Sequence, residues 1–210
     1  ANLRHANLSH VGFYHGLNAN FSYADLSNAS FYQSTLLNAN LIGANLTDAN
    51  LTNADLYSSV MRNTKLTNTN LTNALLNYAN LYEADLTNAN LTNTDLSNAD
   101  LRYASLINAN LSGTNLTDTN LYRLVSGNIS GTPSALPNNY QIISGYILGP
   151  GVNISGVNFE NLNLDGVNLR GANLLNTSLY NTSLKFSNLR NAIFVNDADD
   201  SRSFYYTDFT

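Results

Sequence analysis

Large apolar residues recur at every fifth position over most of this chain. In "ANLTDANLTNADL", Ala44 to Leu56, they are Leu46, Leu51 and Leu56, each with an Ala two places earlier. The series is entered at Leu3, Leu8 and Phe13. It restarts at Phe21, runs in unbroken steps of five through Leu26 and Phe31 to Leu121, and resumes from Ile154 to Phe194. The position two before each centre is Ala, or else Thr, Ser or Val, and the position before the centre is mostly Asn or Asp.

Neither regular element buries this pattern. Residues five apart on an α-helix are rotated by roughly 140°, which scatters the leucines around the cylinder. On a strand a five-residue step moves each leucine to the opposite face. A chain that turns once per repeat satisfies it, because every centre and every small residue two places earlier then points to the axis of a coil. Stacked coils bury one another, so the pattern predicts a solenoid.

The motif "ANLTDANLTNADL" resembles the pentapeptide-repeat family, whose repeat is A(D/N)LXX. The resemblance extends over roughly thirty copies and about four fifths of the chain. It implies an all-β fold, a right-handed quadrilateral β-helix in which four repeats make one coil of twenty residues. Stacked at strand spacing of about 4.8 Å, about eight coils would give a rod near 40 Å long, interrupted by one non-repeat connector. Asn suits such a coil because it bonds to nearby backbone at turns and stacks in ladders between coils.

Breaks in the count divide the chain into a first repeat block (1–121), a connector (122–151), a second block (152–194) and a closing segment (195–210). Between Phe13 and Phe21 the stretch "YHGLN" carries a three-residue excess, read as a corner bulge. The connector holds Pro133, Pro137 and Pro150, and its runs "YQII" and "GYIL" between turn residues predict a small hairpin or a pair of strands. It resembles connectors of bacterial pentapeptide-repeat proteins and reads as a structural joint. In the tail, Phe204 and Phe209 fall back in register with Phe194, as if to close the last coil.

Composition narrows the chemistry. Charged residues are 11% of the 210 and the formal net charge is -5, so the basic footprint of a nucleic-acid binder is missing and no nucleic-acid partner is expected. Without Cys there is no disulfide frame, thiolate zinc site or thiol nucleophile. No apolar run is long enough to span a bilayer, and the opening "ANLRHANL" reads as a processed or trimmed product. An extracellular or cell-surface location is slightly favoured over the cytoplasm.

Candidate sites are few. His5, His10 and His15 stand five apart, on successive sides of a square coil, where their side chains diverge; no metal site is expected. Asp197, Asp199, Ser201 and Asp208 have the spacing of a calcium loop, but Arg202 occupies the place of the turn Gly, and a solvated acidic turn is the expectation. No phosphate loop, nucleophile elbow or zinc-protease motif appears, so neither enzymatic activity nor a cofactor is expected.

Reading residues twenty apart as neighbours concentrates Tyr and Arg beside the column Phe21, Leu41, Met61, Leu81, Leu101 and Leu121. The candidate interaction stripe is Tyr23, Arg62, Tyr82, Glu83, Arg102, Tyr103, Tyr122 and Arg123. Elsewhere, Thr47, Thr67 and Thr87, and Thr52, Thr72 and Thr92, form uncharged columns. The expected function is a non-enzymatic structural or protein-interaction rod, with itself (end to end, into a fibre) or another protein as partner. Two alternatives are a DNA mimic that inhibits a type II topoisomerase, as the family resemblance implies, and ice or crystalline-surface binding through the Thr ladders.

Overall fold

In the computed structural model, which describes residues 1–11 and 19–194, the chain winds as a coil with a tight turn after every third residue. From Asn20↔Asn40 to Asn115↔Ala135, each bridged residue pairs in parallel with the residue twenty places on, so four five-residue sides make one coil. We number the sides 1 to 4 from those centred on Phe21, Leu26, Phe31 and Leu36. Ala44, Leu46, Ala49 and Leu51 are all buried, as the repeat predicts, and their equivalents fill a continuous core.

The repeat 44–48 shows why the motif has its form. Ala44 N–H closes the preceding turn on Leu41 C=O (3.0 Å), and Asn45 N–H reaches back one coil to Ala24 C=O (2.9 Å). Leu46 and Asp48 donate forward one coil, to Lys65 C=O (2.8 Å) and Thr67 C=O (3.0 Å). The remaining N–H, of Thr47, is accepted by the side-chain Oδ1 of Asn45 at 3.2 Å. An Asn or Asp before the centre is therefore the acceptor that the backbone itself does not supply.

The last residue of each turn is left-handed: Asp48, Asn53, Asn68 and Asn73 have φ between 56° and 58°. Asn and Asp tolerate this region better than other side chains. On side 2 these residues also form an amide ladder, in which Asn68 donates to Asp48 (2.9 Å), Asn88 to Asn68 (3.0 Å), Asn108 to Asn88 (2.9 Å) and Asn128 to Asn108 (3.1 Å).

Two offsets interrupt the twenty-residue step. Asn2 pairs with Asp25 and Asn7 with Ser30, a step of 23 residues that matches the three-residue excess. The stretch "YHGLN", His15 and the closing segment 195–210, with Asp197, Asp199, Ser201 and Asp208, lie outside the described residues. At the joint the ladder does not stop at residue 121 but continues through Val125, Ser130 and Ala135. Backbone pairing survives there although Ser126 replaces a central leucine, because the pairing does not depend on which side chain fills the core.

The connector then forms an antiparallel hairpin of β1 (Gln141–Ile143) and β2 (Tyr146–Leu148). Its two-residue turn, Ser144 and Gly145, has φ of 49° and 79°, as right-twisted hairpins require. Ile147 N–H donates to Ser126 Oγ at 2.9 Å, and its buried side chain joins the first core. Leu148 joins the second. Val125 then pairs with Asn153, a step of 28 residues, and the twenty-residue rhythm returns with Asn153↔Asn173. No described helix is long and apolar enough to cross a membrane.

Two buried serines in the small-residue position separate packing from hydrogen bonding. Ser34 Oγ donates to Phe31 C=O at 2.7 Å, whereas Ser59 Oγ, fully buried, has no partner among the described residues. Ser59→Ala is expected to raise unfolding free energy by about 1 kcal/mol and Ser34→Ala to lower it by about as much. Urea titrations of the two variants against the parent check both signs.

Candidate functional site

The turn after side 1 is the corner that carries the tyrosines and arginines, and coil stacking brings most of them into one line. The Tyr82 ring lies between two guanidiniums, Arg62 at 5.2 Å and Arg102 at 5.5 Å from its centroid. Tyr103 packs at a tilt against Tyr82 (5.4 Å) and edgewise against Tyr122 (5.9 Å), and Arg123 lies 5.4 Å from the Tyr122 centroid. Cation–π contacts of this kind hold like charges in a row that would otherwise spread apart. Glu83 is exposed at the turn between them. Tyr23 is set apart, with its ring over Gly43, where a Cβ would come within 2.7 Å of it.

The column continues past the joint. Arg123 N–H donates to Gly151 C=O (2.8 Å), Gly151 N–H to Arg170 C=O (2.9 Å) and Gly171 N–H to Arg190 C=O (2.9 Å). Arg170 and Arg190 therefore stand on the same corner as Arg62, Arg102 and Arg123, which gathers five of the nine Lys and Arg residues into one stripe. A sequence count in twenties misses both, because the step across the joint is 28. Tyr122, Tyr140, Pro150 and Arg170 line a depression of about 350 Å³ at this point. The Tyr140 hydroxyl donates to Pro150 C=O at 2.7 Å, and burial raises its pKa.

Arg102 is anchored to the middle of side 1, donating from Nε (2.9 Å) and Nη2 (2.7 Å) to the two carboxylate oxygens of Asp100. Burial pushes the Asp100 carboxyl upward. The hydrogen bonds from Arg102 and the charges of Arg102 and Arg62 outweigh it, leaving the group below its ordinary value of 3.8. Burial and the neighbouring Glu83 carboxylate raise the Tyr82 phenol, which stays protonated at neutral pH.

The other candidate features are not assembled into sites. His5 and His10 sit on turns of successive sides, and His10 packs edge-on against Tyr32 at 5.6 Å. Among the described residues no group of three His, Cys, Asp or Glu side chains is placed to hold a metal. The Thr columns direct their hydroxyl protons into the rod: Thr47, Thr52 and Thr72 donate to Asn45, Asn50 and Asn70 at 2.7 Å, and Thr67 donates to Asp85 at 3.0 Å.

The family model for pentapeptide repeats matches residues 19–56, 54–93, 94–123 and 158–196, in eight copies. Among curated proteins none matches the chain. Similar solved structures include HetL, a pentapeptide repeat protein involved in heterocyst differentiation regulation from the cyanobacterium Nostoc sp. strain PCC 7120. It is 25% identical over 99% of this chain and 86% of its own, with a TM-score of 0.44. Rfr23 from the cyanobacterium Cyanothece 51142 is 31% identical over 62% of this chain and 88% of its own, with a TM-score of 0.29. QnrB1, a plasmid-mediated fluoroquinolone resistance protein, is 15% identical over 85% and 88%, with a TM-score of 0.32.

Because Asp100 has a depressed pKa in the folded chain, its contribution to stability is complete above its unfolded value and lost as pH falls through the folded one. Stability is therefore expected to decline below about pH 4, and Asp100→Asn to flatten part of that decline. Denaturant midpoints measured from pH 2 to 7 for parent and variant give the slope; identical slopes would show that the Asp100–Arg102 pair does not form in solution.

Proposed function

Since the chain belongs to the pentapeptide-repeat family, we propose that it is a non-enzymatic interaction rod whose recognition surface is the Tyr/Arg corner after side 1. One observation carries this reading. The left-handed turn position, which on side 2 is held from residue 28 onward by Asn, Asp or Gly, is Gly or Asn at Gly43, Asn63, Gly151, Gly171 and Asn191 of this corner but Tyr23 (φ 55°), Glu83 (57°), Tyr103 (60°) and Arg123 (60°) at the other four. An ordinary side chain in that region costs on the order of 1 kcal/mol, and folds tolerate such local cost where the side chain serves something else. Tyr and Arg supply contact area, stacking and forked hydrogen bonds at protein interfaces.

The competing readings need other surfaces. A DNA mimic requires dense negative charge along the rod, and five arginines on one corner oppose it. Ice binding through Thr ladders requires hydroxyls that order water, and these hydroxyl protons are already donated inward. End-to-end fibre growth uses the coil ends and leaves the corner unexplained.

The test uses variants that keep the fold. Asn is the residue that most other turns carry, so Tyr103→Asn with Arg123→Asn is expected to fold with undiminished stability. A photo-crosslinking residue at Tyr82 is expected to capture a partner in cells, with capture lost at least tenfold in the double Asn variant. The same residue at Thr52, on the far side of the rod, is expected to capture nothing. Equal capture from both positions, or capture indifferent to the Asn substitutions, would overturn the assignment.

A further inference from the structure

Side 1 is bordered by two corners, and the one opposite the arginines carries four aspartates at or beside it, with Lys185 at its end in the second block. Asp55 and Asp95 lie in the middle of side 4, their carboxylates drawn toward the closing corner by accepting the N–H of Tyr57 (3.1 Å) and Ser97 (3.0 Å). Across side 1 from them stand Arg62 and Arg102, seven residues later in each case. Asp118 and Asp165 occupy the corner itself, and Arg123 and Arg170 follow each by five. With twenty residues to a coil of about 4.8 Å, every pair differs in height by only 1 to 2 Å, roughly. Counted in coils, the acidic column is spaced two, one, two, and the basic column repeats the spacing two, one, two.

Resting on the recognition surface proposed above, we infer that its partner is a second copy of this chain, lying parallel and side by side, with side 1 packed on side 1. A twofold axis along the rods carries the arginine corner of one copy over the aspartate corner of the other without changing height, so these four levels meet opposite charge, while Arg190 at the end of the stripe meets Lys185. Turning one rod end for end instead lays arginine on arginine, at a cost in like-charge contact. The geometry therefore selects the parallel arrangement.

Between the charged levels, Leu37, 36% exposed, stands level with Ile42, and Tyr78, 54% exposed, with Tyr82 and the exposed Glu83. The middle of side 1 is Asn40, Val60, Asn80 and Asn120, and Asp100, which would face its own copy there, is already neutralised by Arg102. Asp55, Asp95 and Asp118 form no ion pair with a described residue, nor do Arg62, Arg123 and Arg170. The turn positions agree as well: away from side 1 the left-handed residues are chiefly Asn, Asp and Gly, while its two bordering corners hold the Tyr, Glu and Arg named above and Tyr78 and Phe186. The strip is roughly 35 Å long and, with its corners, roughly 15 Å wide, on the order of 500 Å² per copy. That is the scale of a transient, salt-sensitive complex.

Light scattering coupled to size exclusion tests it on the full chain. A mass approaching twice 22.8 kDa is expected at high protein concentration in about 50 mM salt, returning to one chain in about 0.5 M. Asp118→Arg and Arg123→Asp are each expected to weaken the dimer at least tenfold, and their combination to restore it, because the swap returns opposite charges to both contacts. The chain has no Cys, so Val60→Cys and Asn120→Cys, three coils apart, each give a single reactive site. Each is expected to crosslink to its own copy with a short bismaleimide. A single-chain mass at every concentration, a swap that does not restore the dimer, crosslinking at only one site or neither, or rods that lengthen stepwise would each overturn the inference. With a monomer and intact capture at Tyr82, the recognition surface stands and its partner is another protein; with both lost, the surface falls too.

Discussion

The accounting of backbone N–H groups governs this structure. A five-residue repeat that turns once has five donors to satisfy. Coil stacking satisfies three of them, turn closure a fourth, and the side chain before each central leucine the fifth, as Asn45 does for Thr47. Fixing that acceptor fixes the direction of the turn, and the turn fixes which residues face inward. One large apolar residue, mostly Leu but Phe at Phe31 and Phe159, and one small residue then fill the axis on each side and exclude water from it. Where the acceptor is absent, as at Val60, the neighbouring turns hold the geometry: Gly43 N–H still reaches Arg62 C=O at 2.8 Å.

That constraint leaves the outward positions unequal. The middle of each side is committed to backbone satisfaction and to Asn ladders. The position after the centre is free in identity, and the one after that is free only at the expense of left-handed backbone. Corners are consequently where a pentapeptide rod has room for chemistry, and a corner that departs from Asn costs something measurable at each level. The concentration of such departures on the two borders of side 1, rather than their presence, separates a surface under functional demand from drift.

Much of this was legible in the chain before any coordinates. The five-residue step excludes helix and strand, so coil, core and ladder follow from periodicity, and residues twenty apart already align Arg62, Tyr82, Arg102, Tyr103 and Tyr122. What was hidden lay beyond the joint. Counting in twenties loses register at the connector, so periodicity alone does not place Arg170 and Arg190 on the corner they occupy. The first block also runs on to Ala135, past the expected end at residue 121, since Ser126 looks like a lost centre until Ile147 from the hairpin is seen to share its core. A side chain supplied from 21 residues away leaves no mark in a local repeat pattern. Turn handedness was hidden for a different reason: the motif shows Asn where φ is positive, but only the backbone shows that Tyr103 and Arg123 adopt the same conformation.

The joint illustrates how a solenoid tolerates interruption. Its sides are held by different ladders, so an insertion costs pairing only where it leaves the coil. Here side 2 stays bridged, Val125 to Asn153, and the corner after side 1 stays bonded, Arg123 to Gly151, while no bridge joins the two blocks on sides 3 and 4 among the described residues. The bond from Arg123 to Gly151 keeps the arginine corner in step on both blocks. An excursion of this length that leaves the corner after side 1 bonded across the joint is what allows Arg170 to extend a stripe that begins at Arg62.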